Sequence, residues 1–247
     1  MEKVAVITDF GTADPFAGVM KAKILEFVDD VIFIDITHEI PDFNVMAAQF
    51  VFSYALKYLP GDFHFLIVVD PGVGGERRPI FAVKENRFFV APDNGILTPL
   101  IDSADFYEIR VHGSVSKTFH GRDVFAPALG KLLKGESPDK VGNRIYDPVK
   151  VYLPSPVQTE RGLEGQIVYI DGFGNLVTNI PGDSVKTGER VIFKNRVLMV
   201  VNSYRDVRRG EPLAIVDSFD FLEIAVREAN ASRFFDAKVG DTVVLEK

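Results

Sequence analysis

The chain has 247 residues, 47% of them hydrophobic and 26% charged, with a net charge of -7 and no cysteine. That composition excludes wholesale disorder, and without Cys there is no disulfide framework, thiolate metal site or cysteine nucleophile. The acidic balance argues against nucleic acid as a partner, because phosphate binding draws on clustered Lys and Arg. No stretch approaches eighteen uninterrupted apolar residues, so the expectation is a cytoplasmic protein with no membrane contact.

Val4 to Thr8 is a β-branched run that stops at Asp9, followed by the turn DFGTADP. Asp14 before Pro15 reads as a helix entrance, and Phe16, Met20, Ile24 and Phe27 recur at helical spacing up to Val28. A second strand is expected over Val31 to Ile36, a second helix over Asn44 to Leu59 before Pro60 and Gly61, and a third strand over Phe63 to Val69. Strand and helix in alternation imply parallel pairing with helices on the faces. Pro79 to Val83 and Arg87 to Val90 read as a hairpin around KEN, and Asp123 to Leu133 as a short helix capped by Asp123. The first domain is therefore expected over 1–150, as a three-layer α/β/α structure with a mostly parallel sheet. Beyond it, YLPSPVQTERG reads as a linker, and short β-branched runs from LEGQIVYI to DTVVLEK predict an all-β barrel or sandwich over 151–247.

Ligands of open parallel sheets bind beyond the carboxyl ends of the strands, and Asp9, Thr37 with His38, and Asp70 all fall at such ends. Asp70 opens DPGVGGERR, a glycine loop that starts as a type I turn and lets a ligand approach the backbone. Arg77 or Arg78, pairing with Asp70, would hold that carboxylate ionised. Asp9 is placed to accept from two adjacent hydroxyls. His120, in TFHGRDVFAP, has the most suggestive setting of the four histidines; His38 is a reserve, and Arg122 reads as an ion-pair partner. In IDGFGNLVTNI, Asp171, Phe173 and Asn175 make either a hairpin turn or a loop with an aromatic face and an amide for a base.

Six stretches in order, TDFGT, DPGVGGERR, APDNGILT, TFHGRDVFAP, DGFGNLVTNI and DSFDFLEIAV, resemble the S-adenosyl-L-methionine hydrolases that form adenosine, the water-using relatives of the fluorinating and chlorinating enzymes. The resemblance spans nearly the whole chain. It implies an α/β domain followed by a β-barrel, and a homotrimer with active sites between neighbouring subunits. It places the water-handling set on Asp70, Arg77 and His120, with Arg78 as the alternative to Arg77. Asp9 resembles the ribose contact and Asn94 the methionine-side amide, while Asp14 and Asp171 are counted among the substrate contacts. Phe173, Asn175, Ser218, Glu223 and backbone near Val226 resemble the adenosine pocket. Asp220 and Ala229 stand where the family usually has glycine. The halogenating branch has an aromatic hydroxyl in place of Asp70, a serine in place of Gly121 and an insertion that the Pro79 to Val90 hairpin lacks.

The implied reaction needs neither a metal nor another cofactor. A sulfonium leaves C5′ as a neutral thioether and needs no proton, so the protein has only to aim and activate a water whose pKa in bulk is about 15.7. Asp70 and His120 are both candidates for the base. Three rival readings are a halogenase, a nucleoside-binding sensor with negligible turnover, and a metal phosphohydrolase built on Asp9, Asp70, Asp93 and His120.

Overall fold

Four consecutive residues, Val4 to Ile7, are completely buried in β1 (Glu2–Thr8), as expected of a strand covered on both faces. The computed structural model, which describes residues 1–246, divides into two units, Met1–Tyr152 and Leu153–Lys247.

In the first unit β1 is followed by α1 (Phe16–Leu25), β2 (Val31–Thr37), α2 (Val45–Tyr58) and β3 (Phe63–Val68), in the order the apolar spacing predicts. Then come β4 (Pro79–Lys84), β5 (Arg87–Pro92), β6 (Asp105–Ile109), α3 (Ala126–Leu133), α4 (Pro138–Val141) and β7 (Gly142–Ile145). The seven strands lie in the order β2-β1-β3-β5-β4-β6-β7. The sheet is mixed: the pairings of β1, β2, β3 and β5 are parallel, and those made by β4, β6 and β7 are antiparallel. The reversal starts at the KEN hairpin, where Glu85 and Asn86 both take the left-handed conformation that a tight two-residue turn requires.

The strand period of two sorts side chains between two helical layers. Val4, Val6, Leu66 and Val68 pack in one core with Met20 and Ile24 of α1 and Leu129 and Leu132 of α3. The opposite face presents Phe65 and Phe89 to Phe52 of α2, with ring centroids 5.3 and 6.0 Å apart. This is the expected α/β/α layering.

Local differences from the sequence reading have identifiable causes. Asn44 does cap α2, accepting from Ala47 N at 2.9 Å, but Asp14 does not cap α1: that helix opens on Pro15 without a side-chain cap, stops at Leu25 and leaves Asp14 exposed. Asp123 is not a cap either. Residues Gly121–Phe125 wind as a single π turn leading into α3, and the Asp123 carboxylate is taken by Arg122 and by Ser116 N at 2.8 Å. Neither β6 nor the largely polar edge strand β7 carries a periodicity legible in the sequence.

The second unit contains β8 (Val157–Thr159), β9 (Gly162–Ile170), β10 (Leu176–Pro181), β11 (Arg190–Phe193), β12 (Arg196–Met199), β13 (Pro212–Val216), β14 (Phe221–Val226), α5 (Ala231–Phe235) and β15 (Thr242–Glu246). The antiparallel order β12-β11-β15-β9-β10-β14-β13 curls so that Val200, just past β12, bridges Ala214 of β13. The sheet is thereby nearly closed into a barrel around Ile167, Leu176, Ile180, Phe193, Leu222 and Ile224. Asp220 keeps a left-handed backbone at φ 64°, and near Ala229 that conformation falls one residue earlier, on Glu228.

Candidate functional site

Thr8 and Val68 are register partners in adjacent parallel strands, so the chain leaves β1 and β3 side by side and brings Asp9 and Asp70 to one sheet edge. Asp70 begins a turn whose backbone closes through Val73 N to Asp70 O and Gly75 N to Gly72 O. Its carboxylate is left for Arg77, which returns over the turn. Arg77 Nε donates to Asp70 Oδ1 at 2.8 Å, and Nη2 bonds Oδ2. Nη2 also lies 2.8 Å from His120 Nδ1, and the guanidinium rests over the Phe125 ring at 5.1 Å.

Two glycines permit this. A Cβ at Gly72 would stand 2.9 Å from Arg77 Cγ, in the path of the returning side chain, and Gly74, at φ 74°, would collide with the Lys117 carbonyl at 2.2 Å. The Asp70 turn is thus pressed against the segment that carries His120. A guanidinium has donors and no acceptor, so His120 Nδ1 accepts and the neutral ring carries its hydrogen on Nε2. Burial, then the Arg77 charge, push the His120 pKa below its ordinary value and favour that neutral form.

Asp70 and His120 border a cavity of about 190 Å³ that is also lined by Asp9, Asp42, Phe10, Phe43 and Phe119. Phe10, Phe16 and Phe119 form an edge-to-face cluster with centroids 5.1 to 5.8 Å apart. Asp9 Oδ2 accepts from Phe43 N at 3.0 Å. Burial raises the Asp9 pKa against the opposing effect of that hydrogen bond, and Asp42 and Asp70 add to the rise. Three carboxylates and aromatic faces make a wall suited to a cationic ligand. Asp42 and Phe43 escaped the sequence reading; Phe43, held at φ 62° and 68% exposed, lies where a helix lead-in was expected.

Other candidates are engaged elsewhere. Arg78 turns away to Asp93 and Asp147, so of the two arginines Arg77 alone meets Asp70. Asn94 donates to Val69 O at 3.0 Å and tethers its loop to the end of β3. Asp14 is exposed and is not part of the cavity wall. Asp93 also accepts from Val149 N and does not border the cavity; among the described residues no three His, Asp or Glu side chains are grouped to hold a metal.

The second unit has a cavity of about 470 Å³ lined by Phe173, Asn175, Tyr204, Val226, Glu228 and Ala229. Asp171 builds the turn beneath it, its Oδ1 accepting from Phe173 N and Asn175 N, while Phe173 stands 82% exposed. Hairpin turn and aromatic platform are one object here. Ser218 and Glu223 are not in that wall. Glu223 is 2% exposed and accepts from Tyr204 OH at 2.8 Å, so Tyr204, which the sequence reading missed, stands at the cavity in its place. Burial pushes the Glu223 pKa up to about 7 and that of Asp217 to about 6.

Residues 4–142 match the SAM hydroxide adenosyltransferase N-terminal domain, and residues 165–244 match the corresponding C-terminal domain. The chain belongs to the SAM hydroxide adenosyltransferase family. Within it, proteins named (R)-S-adenosyl-L-methionine hydrolase from Thermus thermophilus and Salinispora tropica are 33% and 32% identical, over 99% and 96% of this chain and 100% and 95% of theirs. A fluorinase from Actinopolyspora mzabensis is more distant, at 23% over 97% of this chain and 95% of its own. The fold is similar to a crystal structure of an uncharacterized conserved protein from Thermotoga maritima, with a TM-score of 0.89 and 35% identity over 99% of this chain and 100% of that one. At Gly121 a Cβ would lie 2.6 Å from Met20 Sδ and 2.9 Å from the Phe119 ring, so a side chain there would require those two to shift.

Gly72→Ala is expected to push Arg77 off Asp70 and lower kcat by about tenfold or more, with a change in Tm of only a few degrees; steady-state assays and calorimetry check it. A carboxyl whose pKa is raised by folding stabilises below its unfolded pKa, and that contribution is lost as pH rises through the folded value. Glu223 and Asp217 therefore predict a Tm that falls between about pH 4.5 and pH 7, and Glu223→Gln should flatten that slope in thermal unfolding.

Proposed function

We propose that the protein hydrolyses S-adenosyl-L-methionine to adenosine and L-methionine by attack of water at C5′. The observation that carries this reading is that Asp70 and His120, joined through Arg77, border a carboxylate-lined cavity, in a chain about one-third identical to a named hydrolase over 99% of its length.

The cavity's charge fits the substrate. Asp9, Asp42 and Asp70 attract a sulfonium cation, and the rings of Phe10 and Phe119 offset part of its lost hydration. Asp9 grips the ribose diol by accepting from both hydroxyls. The attacking water accepts from His120 Nε2–H and donates to the Asp70 carboxylate, which points a lone pair at C5′. As the O–C5′ bond forms, the C5′–S bond breaks and sulfur keeps the electron pair, leaving as a neutral thioether. The water's proton is drawn toward Asp70 and passes to solvent. Asp70 paired with arginine is a weak base, which suffices when the leaving group is already cationic. His120 serves as orienting donor, since Arg77 occupies the nitrogen with which it would accept.

In the second unit Phe173 and Tyr204 offer aromatic faces to the purine, and Asn175 an amide for its edge. Of the other residues in the proposed substrate-binding set, Val226 lines the second cavity, Glu223 acts through Tyr204 and Asp171 through its turn, while Asp14, Asn94 and Ser218 border neither cavity. A homotrimer with active sites between neighbouring subunits, and a cytoplasmic location, belong to the same proposal; among the described residues no helix is long and apolar enough to cross a membrane. The relatives' names add that the epimer consumed has the R configuration at sulfur.

Purified protein incubated with both sulfonium epimers should release adenosine and methionine in equal amounts, faster from the R epimer, with no change on adding chelator or halide. Adenosine binding without turnover would instead identify a sensor, and light scattering should give three times the chain's mass. The acid limb of kcat/KM should report His120 and Asp9. Burial and the Arg77 charge lower the His120 pKa, so activity should hold through neutrality and its acid limb should lie below the ordinary His range. A pH–rate series on the wild type and His120→Gln checks this.

A further inference from the structure

Residues 9 to 15 carry Asp9 through a turn without helix or strand, and an irregular segment holds a carboxylate in place only if other groups fix it. A closed circuit of contacts surrounds this turn. On one side Thr8, the completely buried last residue of β1, has its Oγ1 2.8 Å from Nδ1 of His38, itself 7% exposed. His38 Nε2 lies 3.2 Å from Asp35 Oδ1, not aligned as a hydrogen bond, and Asp35 Oδ2 pairs with Lys21 of α1 at 2.6 Å. The chain from Thr8 through the turn to Lys21 completes the ring.

The backbone repeats the clamp: Gly11 N donates to His38 O at 2.7 Å and Ile40 N to Thr8 O at 3.3 Å. The segment so fastened, 38–43, ends at Phe43, whose N–H holds the Asp9 carboxylate. Thr8 Oγ1 also accepts from Phe10 N at 3.3 Å; with the imidazole hydrogen on Nε2, facing the Asp35 carboxylate, His38 Nδ1 accepts from the Thr8 hydroxyl.

The geometry points to Thr8 and His38 as positioning residues for Asp9: their side-chain contact sets the turn against the 38–43 segment and so aims the carboxylate at the ribose diol. Neither residue borders the cavity, so they act on substrate only through Asp9. The inference rests on the proposed role of Asp9.

The test compares kcat and KM for S-adenosyl-L-methionine and its 2′-deoxyribose analogue, since only a diol uses both carboxylate oxygens. In Thr8→Val, which is isosteric, and in His38→Ala, KM for the ribose substrate is expected to rise about tenfold with kcat within about threefold. The preference for ribose over deoxyribose should shrink in proportion, and Thr8→Ser and His38→Asn, which retain a hydroxyl and an acceptor, should restore it. A general loss of stability would depress both substrates alike. Asp9→Asn separates the failures. If it abolishes the preference while Thr8→Val and His38→Ala keep it, the positioning inference is overturned. If Asp9→Asn leaves the preference intact, Asp9 does not read the diol, and that reading falls first, with the inference behind it.

Discussion

A guanidinium set between a carboxylate and an imidazole is the constraint on which the first unit's site depends. Arg77 can only donate, and its side chain is 10% exposed beside an Asp70 side chain that is 7% exposed. A buried cation of that kind requires a partner for its charge, and Asp70 supplies it with two oxygens. Nη2 also reaches His120 and decides which imidazole nitrogen carries hydrogen. One side chain thus fixes the direction of two others. The space left by Gly72, the approach of Gly74 to Lys117 and the Phe125 ring beneath the guanidinium all keep Arg77 in that one place. Had Arg78 taken the role, Asp93 would lose its charge partner and the tie to Asp147 would go.

Much of this was legible because the relevant signals are local. Five elements from β1 to β3 follow from apolar spacing, and the KEN hairpin from its position between two short strands, where Glu85 and Asn86 take the left-handed conformation. The strand-end rule found Asp9 and Asp70 without reference to any relative, since adjacent parallel strands deliver their following residues to the same edge. Non-local facts were less accessible. Nothing in PDFN says that Phe43 N will hold Asp9, and Tyr204, in a loop between β12 and β13, meets Glu223 only because the barrel closes. Glu223 entered only through the family resemblance, as part of an adenosine pocket, and a motif match does not distinguish a ligand contact from a residue buried behind Tyr204. Asp14 and Asp123 failed as caps for different reasons. Pro15 opens α1 alone, and Arg122 with Ser116 claimed the Asp123 carboxylate first.

The two units divide their chemistry by the character of their walls. The first holds charge: Asp9, Asp42, Asp70 and His120 line its cavity, and Arg77 pairs with Asp70 behind the wall. That polarity suits a reaction in which a cation is consumed and neutral products result, because attraction to the carboxylates weakens as the sulfur becomes a thioether. The second unit holds flat apolar surface beside single polar groups, which suits a purine and does not depend on the charge at sulfur.

This separation bears on why water rather than halide would be the nucleophile. A halide is negatively charged and has no hydrogen to give, so the Asp70 carboxylate, in its proposed place beside the nucleophile, would repel it, whereas water could donate to that carboxylate. Asp70 also draws Arg77 into the ion pair and removes the most available positive charge that an anion would seek. Gly121 adds a steric reason, since Met20 and Phe119 close the space where another donor would have to stand. Charge and shape at the same few residues therefore favour a nucleophile that arrives neutral and gives up a proton.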